Sequence, residues 1–336
     1  MHTTPSFQLL PAAQYYRALA KLIPKARQRI VIHAMVVAWT PGMEQLVPPI
    51  EAALRRGVRV DIVGDTYTRL FLPLWAHFGK HTRTTVASWK HTDTIQQHLI
   101  RLGATVNYIG ALRPTNPFAG RCHSKITIVD DTVFSFGGVN FGDQDLRNAQ
   151  TNSDYMLTTK SAMLADYLHN LVVNISKDQH VMPNLQHSLT PYTSLLFDGG
   201  APKDSIIYDT ACHLAARAQT IYYASQYPPS GRLGYLVAQK HNECYFNRAG
   251  MGSFPHNIPF ILDTLRYKIT NHYHRPAYLH AKCMLTIESD GTKHLITGSN
   301  NFSWSGVAFG TKEIALTSTD EQLWQTIFDY IQNDIA

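Results

Sequence analysis

Helix-like and strand-like patterns alternate along this chain. The stretches Ala12 to Ile23, Met43 to Arg56 and Lys203 to Ala218 pattern as helices. Between and after them, IVIHAMVVAW (Ile30 to Trp39), VRVDIVGD (Val58 to Asp65) and TIYYASQY (Thr220 to Tyr227) are rich in β-branched and aromatic residues and predict strands. Alternating helix and strand with short connections predicts an α/β sheet in each half. Segment Val173 to Pro202 is richer in Pro, Ser, Asn and Gly, which places the division near residue 190, between domains 1–190 and 191–336.

One pattern occurs twice. RCHSKITIVDDTVFSFGGVNFGD (Arg121 to Asp143) and YLHAKCMLTIESDGTKHLITGSNNFSWSG (Tyr278 to Gly306) both read His-x-Lys, a β-rich run, a polar turn, a second β-rich run, then Gly-(Gly/Ser)-x-Asn. The two histidines lie 280 − 123 = 157 residues apart, nearly half the 336-residue chain. A duplication predicts two similar domains. The second copy is longer at ESDGTK, a hairpin-turn signal, so the extra residues leave the His and Asn ends of the motif in place.

Composition then narrows the chemistry. Apolar residues make up 44% and charged residues 16%, enough for a large core and too little charge for a disordered chain or coiled coil. Thirty Lys and Arg against 24 Asp and Glu give +6 before any of the 17 His is protonated, which favours anionic partners without choosing among them. Cys122, Cys212, Cys244 and Cys283 have no close pairs and read as reduced thiols, pointing to a cytoplasmic setting. No signal peptide is evident, and the longest apolar run spans ten residues, about half of what a bilayer crossing needs. The expectation is a protein that meets a membrane, if at all, only at its inner face.

Residues i and i+2 of a strand share a face, so His123 and Lys125 would point one way, as would His280 and Lys282. Asp130, five positions past Lys125, has the opposite parity, and Ile287 stands at the matching place in the second copy. A structural role for Asp130 tolerates that replacement; a shared catalytic role does not. A lone acid follows each motif: Asp154 lies 14 residues past Asn140, and Glu313 lies 12 past Asn301. Two readings stand for them: solvated surface acids, or carboxylates that take the Nδ1 proton of a histidine and leave Nε2 free to react.

Two imidazoles, two ammoniums and two carboxamides (Asn140, Asn301) in one cleft suit a tetrahedral phosphate. Lys and Asn neutralise and hydrogen-bond its oxygens, a neutral histidine attacks phosphorus, and a protonated one supplies the leaving group's proton. No metal or other cofactor is called for, because the lysines carry the positive charge.

With its HSKITIVD and GGVNFGD, the first copy resembles the phospholipase D superfamily, whose motif is His-x-Lys-x4-Asp followed by Gly-(Ser/Gly)-x-Asn. The second matches at His280, Lys282, Gly298, Ser299 and Asn301 and departs at Ile287. The resemblance implies two similar α/β domains, mixed sheets flanked by helices, related by a pseudo-twofold axis and sharing one active site. It also implies a phosphohistidine on His123, general acid/base work by His280, and phosphate binding by Lys125, Asn140, Lys282, Ser299 and Asn301.

Within that superfamily the first copy looks most like bacterial cardiolipin synthases and related phosphatidyltransferases. The implied substrate is a phospholipid, with an alcohol or water as acceptor. The second copy, SNNFSWSGVAFGTKEIAL, is closer to the broader group that includes nucleases, which leaves nucleic acid as the alternative substrate. Residues 66–92 mix Leu, Phe and Trp with Lys, Arg and His; they read either as a peripheral membrane contact or as a core helix followed by a solvated loop. GMGSFPHNIPF (Gly250 to Phe260) reads as a mobile rim loop by composition.

Overall fold

A computed structural model describes residues 5–40, 42–66, 82–110, 120–142, 152–177, 181–248 and 254–336, without the side chains of 82–88 and 254–260. The first half runs β1 (Gln8–Pro11), α1 (Ala12–Leu22), β2 (Arg29–His33), α2 (Val47–Arg55), β3 (Arg59–Asp65), α3 (Thr82–Arg101) and β4 (Thr105–Ile109). The hairpin β5 (Ile126–Val129) and β6 (Thr132–Ser135) follows, then β7 (Asn152–Ser153), β8 (Tyr155–Lys160) and α4 (Ala162–Ile175). The second half runs β9 (Leu185–Thr190), β10 (Thr193–Gly199), α5 (Ile206–Arg217), β11 (Ala218–Ala224), α6 (Gly231–Ala238), β12 (His241–Tyr245) and α7 (Phe254–Tyr267). It ends with β13 (Tyr278–Leu279), the hairpin β14 (Cys283–Glu288) and β15 (Lys293–Gly298), α8 (Trp304–Phe309), β16 (Lys312–Ser318) and α9 (Glu321–Tyr330).

Two seven-stranded mixed sheets result. Their orders are β1-β8-β6-β5-β2-β3-β4 and β12-β11-β14-β15-β16-β10-β9. Read in opposite directions, six strands correspond one to one: β1, β8, β6, β5, β2, β3 with β10, β16, β15, β14, β11, β12. Every pair keeps its sense, including the single parallel pair β2–β3 and its counterpart β11–β12. The repeat therefore covers the whole sheet, with β4 added at one edge and β9 at the other. β9 lies before residue 190, in the stretch that sequence alone assigns to the first half, but it pairs with β10 in the second sheet.

The core follows from the helix faces. In α4, Leu164, Leu168, Leu171, Val172 and Ile175 recur at three- to four-residue steps and are buried. With Leu323, Trp324, Ile327 and Tyr330 of α9 they join the inner faces of both sheets into one core, which also holds Phe136, Tyr155, Phe197 and Leu285. Each such side chain stabilises the fold by about 1.5–3 kcal/mol. Ser161 and Asp320 cap these two helices by accepting from the amides of Leu164 and Leu323. On the outer faces, α1 and α2 cover the first sheet, and α5 and α6 the second.

Several expected boundaries move. The strand expected over Ile30 to Trp39 stops at His33, after which Val37 makes only an isolated bridge with Phe141. The helix expected from Lys203 starts at Ile206, because Ser205 caps it through the Tyr208 amide. Residues 254–260, expected in a mobile rim loop, are the first turns of α7. Of the proposed membrane segment 66–92, residues 67–81 lie outside the described residues, and residues 82–92 enter α3. Among the described residues, no helix is long and apolar enough to cross a membrane.

Candidate active site

Both His-x-Lys triplets lie in extended backbone just before a strand rather than inside one: His123 and Lys125 before β5, His280 and Lys282 before β14. What fixes them is pairing between the halves. Cys122 bridges Lys312 in parallel, and the amide of His123 donates to the Lys312 carbonyl at 2.8 Å. Likewise β13 pairs in parallel with β7, matching Leu279 to Ser153, and the amide of His280 donates to the Ser153 carbonyl at 2.9 Å. In both cases the residue before a histidine lies beside the residue before an acid. The chain then delivers each histidine to the carboxylate of the opposite half. His123 Nδ1 lies 3.0 Å from Glu313 Oε2, and His280 Nδ1 lies 2.7 Å from Asp154 Oδ2.

A second, side-chain clamp repeats by the same symmetry. Asp65 ends β3 and accepts from the Cys122 amide at 2.7 Å and from Arg121 Nη1 at 3.0 Å. Asn247, at the matching place beyond β12, accepts from the Leu279 amide at 2.8 Å and donates to the Leu279 carbonyl at 2.8 Å. Sequence reasoning missed both residues. The available signal was a polar side chain ending an otherwise apolar strand, as in VRVDIVGD.

Each acid is held by the turn of its own half. Gly137 and Gly298 let these turns approach the strand carrying the acid: a Cβ would fall 1.9 Å from the Tyr155 carbonyl in one and 2.2 Å from the Ile314 carbonyl in the other. One position later the copies diverge. The amide of Gly138 donates to Asp154 Oδ1 at 3.2 Å, where a side chain would collide with the carboxylate. The Ser299 hydroxyl instead lies against Glu313 Oε2, while its oxygen accepts from the Ile314 amide at 3.0 Å. Ser299, expected to bind phosphate, is fully buried with its single hydroxyl proton directed at Glu313. This contact places Ser299 behind Glu313.

Lys125 and Lys282 are buried, and each Nζ donates to the carbonyl of its own motif histidine. Burial first, then Lys282, lowers the Lys125 pKa to about 7. Asn140 Oδ1 accepts from the Val36 amide at 3.3 Å. Asn301 Oδ1 is buried with no hydrogen-bond partner among the described residues. The side chains of His123 and His280 are equally exposed, at 14%.

The two pairs differ in charge. Burial and the two lysines lower both histidines, His280 furthest because Glu313 partly offsets the shift at His123. Burial also pushes the Asp154 carboxyl up to about 7. It opposes ionisation of Glu313 too, but His123, Lys125 and Ser299 outweigh it and hold that carboxyl below its usual value.

Residues 19–175 match the family described as cardiolipin synthase, PLD-like domain. This stretch is similar to a phospholipase-D-like domain. Curated proteins similar to part of this chain include cardiolipin synthase B of Escherichia coli K12 and of Salmonella typhi. Each is 24% identical over 170 residues, covering 48% of this chain and 36% of the relative. The match thus spans about a third of those relatives' length. Among solved structures, phosphatidylserine synthase of Haemophilus influenzae matches with a TM-score of 0.69 at 15% identity, over 98% of this chain and 85% of that one. Polyphosphate kinase of Porphyromonas gingivalis matches at 0.61 and 12% identity, over 97% of this chain and 46% of that one. These likenesses show that the fold of both halves is shared with those two structures.

Asp130 has the structural place expected of it, for a different reason. It sits in the β5–β6 turn at φ 52°, and its carboxylate accepts from the amides of Arg27, Gln28 and Arg29. Behind the first triplet is a further polar chain that sequence reasoning missed. His33 Nδ1 donates to the Val63 carbonyl at 3.1 Å, leaving Nε2 to accept from Ser124 Oγ at 2.8 Å, with the Cys122 thiol 3.1 Å from that hydroxyl. Burial holds His33 down to about 4, so it is neutral. Cys212, Cys244 and Cys283 are also buried and free.

Proposed function

We propose that this chain transfers or hydrolyses phosphodiesters of phospholipids through a phosphohistidine on His123, without a metal. The observation that carries this reading is the crossed pairing of each histidine with the other half's carboxylate, beside two buried lysines. Glu313 is ionised and accepts the Nδ1 proton of His123, so a lone pair remains on Nε2 for attack on phosphorus. The His280–Asp154 pair retains one proton up to about pH 7, because burial raises Asp154. That proton goes from His280 to the leaving oxygen as the P–O bond breaks and the P–N bond forms.

In the second half-reaction His280 takes the proton of water or an alcohol, whose oxygen attacks phosphorus. The P–N bond then breaks and His123 is regenerated. Lys125 and Lys282 neutralise the phosphoryl group and the charge that builds on it, and the Nδ2 groups of Asn140 and Asn301 donate to its oxygens. The cardiolipin synthase relatives and the phosphatidylserine synthase fold favour a lipid diester.

The test is product analysis with phosphatidylglycerol, with phosphatidylethanolamine plus an alcohol, and with single-stranded DNA, each with and without EDTA. Lipid products formed equally in EDTA support the reading. DNA cleavage without lipid turnover overturns the substrate class, and loss of turnover on chelation overturns the metal-free step.

A further inference from the structure

Ten large hydrophobic side chains are exposed among the described residues, and their distribution is uneven. Ile100, Met163, Val181 and Tyr192 stand on separate elements, whereas Tyr235, Ile261, Leu262, Leu265, Trp304 and Phe309 lie on α6, α7 and α8. These three helices touch. A Cβ on Gly231 of α6 would fall 2.9 Å from the Cβ of Trp304, and one on Gly234 would fall 2.8 Å from the Tyr267 ring of α7. The two glycines let α6 seat both aromatics, so the exposed side chains stand on three helices packed against one another. Leu262 and Leu265 are 60% and 68% exposed, although one-sided helices normally bury such residues.

Two further observations say what covers this face. It abuts the candidate site, because α8 is the connection between Asn301 and Glu313. Its charges are nearly of one sign: within residues 231–238, 261–269 and 303–310 the charged residues are Arg232, Arg266, Lys268 and Asp263. The three cations are exposed and the one acid is half-buried. A two-fold pairing of this face with itself would set cations against cations. An apolar centre with a cationic rim instead fits lipid headgroups and the acyl region beneath them.

We propose that the face built by α6, α7 and α8 docks on an anionic phospholipid bilayer and brings the catalytic opening to the lipid surface. The proposal rests on the phospholipid reading of the site, so its test keeps the two apart. Vesicles of phosphatidylglycerol and phosphatidylethanolamine, or of phosphatidylcholine alone, are sedimented with the wild type, Leu262→Asp/Leu265→Asp and Arg266→Glu/Lys268→Glu. Turnover of the soluble diester bis(p-nitrophenyl) phosphate is followed in parallel.

The wild type is expected to pellet with the anionic vesicles. The leucine variant should lose about tenfold or more in partitioning. The charge variant should lose its preference for anionic over phosphatidylcholine vesicles. Both should turn over the soluble diester as the wild type does. A wild type that stays in the supernatant with both vesicle types overturns the proposal, as does a leucine variant that pellets equally well. So does a wild-type dimer, without vesicle binding, that the leucine variant disperses. Vesicle binding without soluble-diester turnover would support the docking face and sink the reading of the site.

Discussion

His123 and His280 each present Nδ1 to a carboxylate of the opposite half, at 3.0 and 2.7 Å, yet different groups stand behind the two acids. Glu313 is held by the Ser299 hydroxyl and is ionised. Asp154 is held by the Gly138 and Tyr155 amides in a buried setting that raises its pKa to about 7. The shorter acid goes with the glycine and the longer acid with the serine. A side chain at 138 would occupy the space that Asp154 fills, whereas Ser299 supplies the donor on the Glu313 side. The two halves thus carry one backbone arrangement twice, and in the proposed mechanism a few side chains set one pair to attack and the other to carry the proton.

The largest effects should come from breaking one pair at a time. Glu313→Gln should lower kcat by about 10³-fold with little change in KM, because His123 loses its tautomer. Asp154→Asn should cost about 10²-fold and should remove the fall in activity near pH 7 that belongs to the His280 pair. Steady-state kinetics on both variants checks this, and equal losses with identical pH profiles would show the pairs to be interchangeable. Exchanging the supports comes next. Gly138→Ser should destabilise the fold by about 1–3 kcal/mol and cost about 10²-fold in turnover, through overlap with Asp154 and the His280 carbonyl. Ser299→Gly should cost only about tenfold, for one hydrogen bond to a charged group. Denaturant melts and kcat for the two variants test that order.

The pH dependence follows from signs. Asp154 is raised and Lys125 is lowered, both to about 7, so each is in its protonated form below that pH and loses it above. kcat/KM, which reports the free enzyme, should therefore fall as pH rises through about 7. A bound phosphate dianion or diester favours the Lys125 cation, so the fall in kcat should move to higher pH. A kcat/KM that climbs through pH 7 would contradict both assignments. The smallest effect on chemistry belongs to Asp130→Asn. It should lower stability by about 1–2 kcal/mol through weakened amide contacts while leaving kcat within about twofold. A large drop in kcat at unchanged melting temperature would give Asp130 a role in the site.

Much of this arrangement was legible in the chain. The repeat exposed the duplication, and the residue types His123, Lys125, His280 and Lys282 pointed to phosphate chemistry. The crossing of the pairs was not legible: Glu313 lies 190 residues from His123, and pairing such as the Cys122–Lys312 and Leu279–Ser153 bridges brings such positions together. Strand parity misjudged Asp130 in detail, because a residue at φ 52° in a turn follows no alternation. The contact between the Ser299 hydroxyl and Glu313 was not legible either, since a motif position says nothing about the direction of a hydroxyl. Residues 254–260 of α7 were read as part of a loop because of the Gly and Pro in GMGSFPHNIPF, although both Pro residues sit within the helix.

The central claim is that the two histidines do different work, His123 as nucleophile and His280 as acid and base. Rapid quenching with a diester labelled in its phosphoryl group, followed by peptide mapping, tests it most directly. Label should appear on His123 in the wild type, persist longer in His280→Ala and be absent from His123→Ala. Label on His280, or full turnover by His123→Ala, would contradict the account.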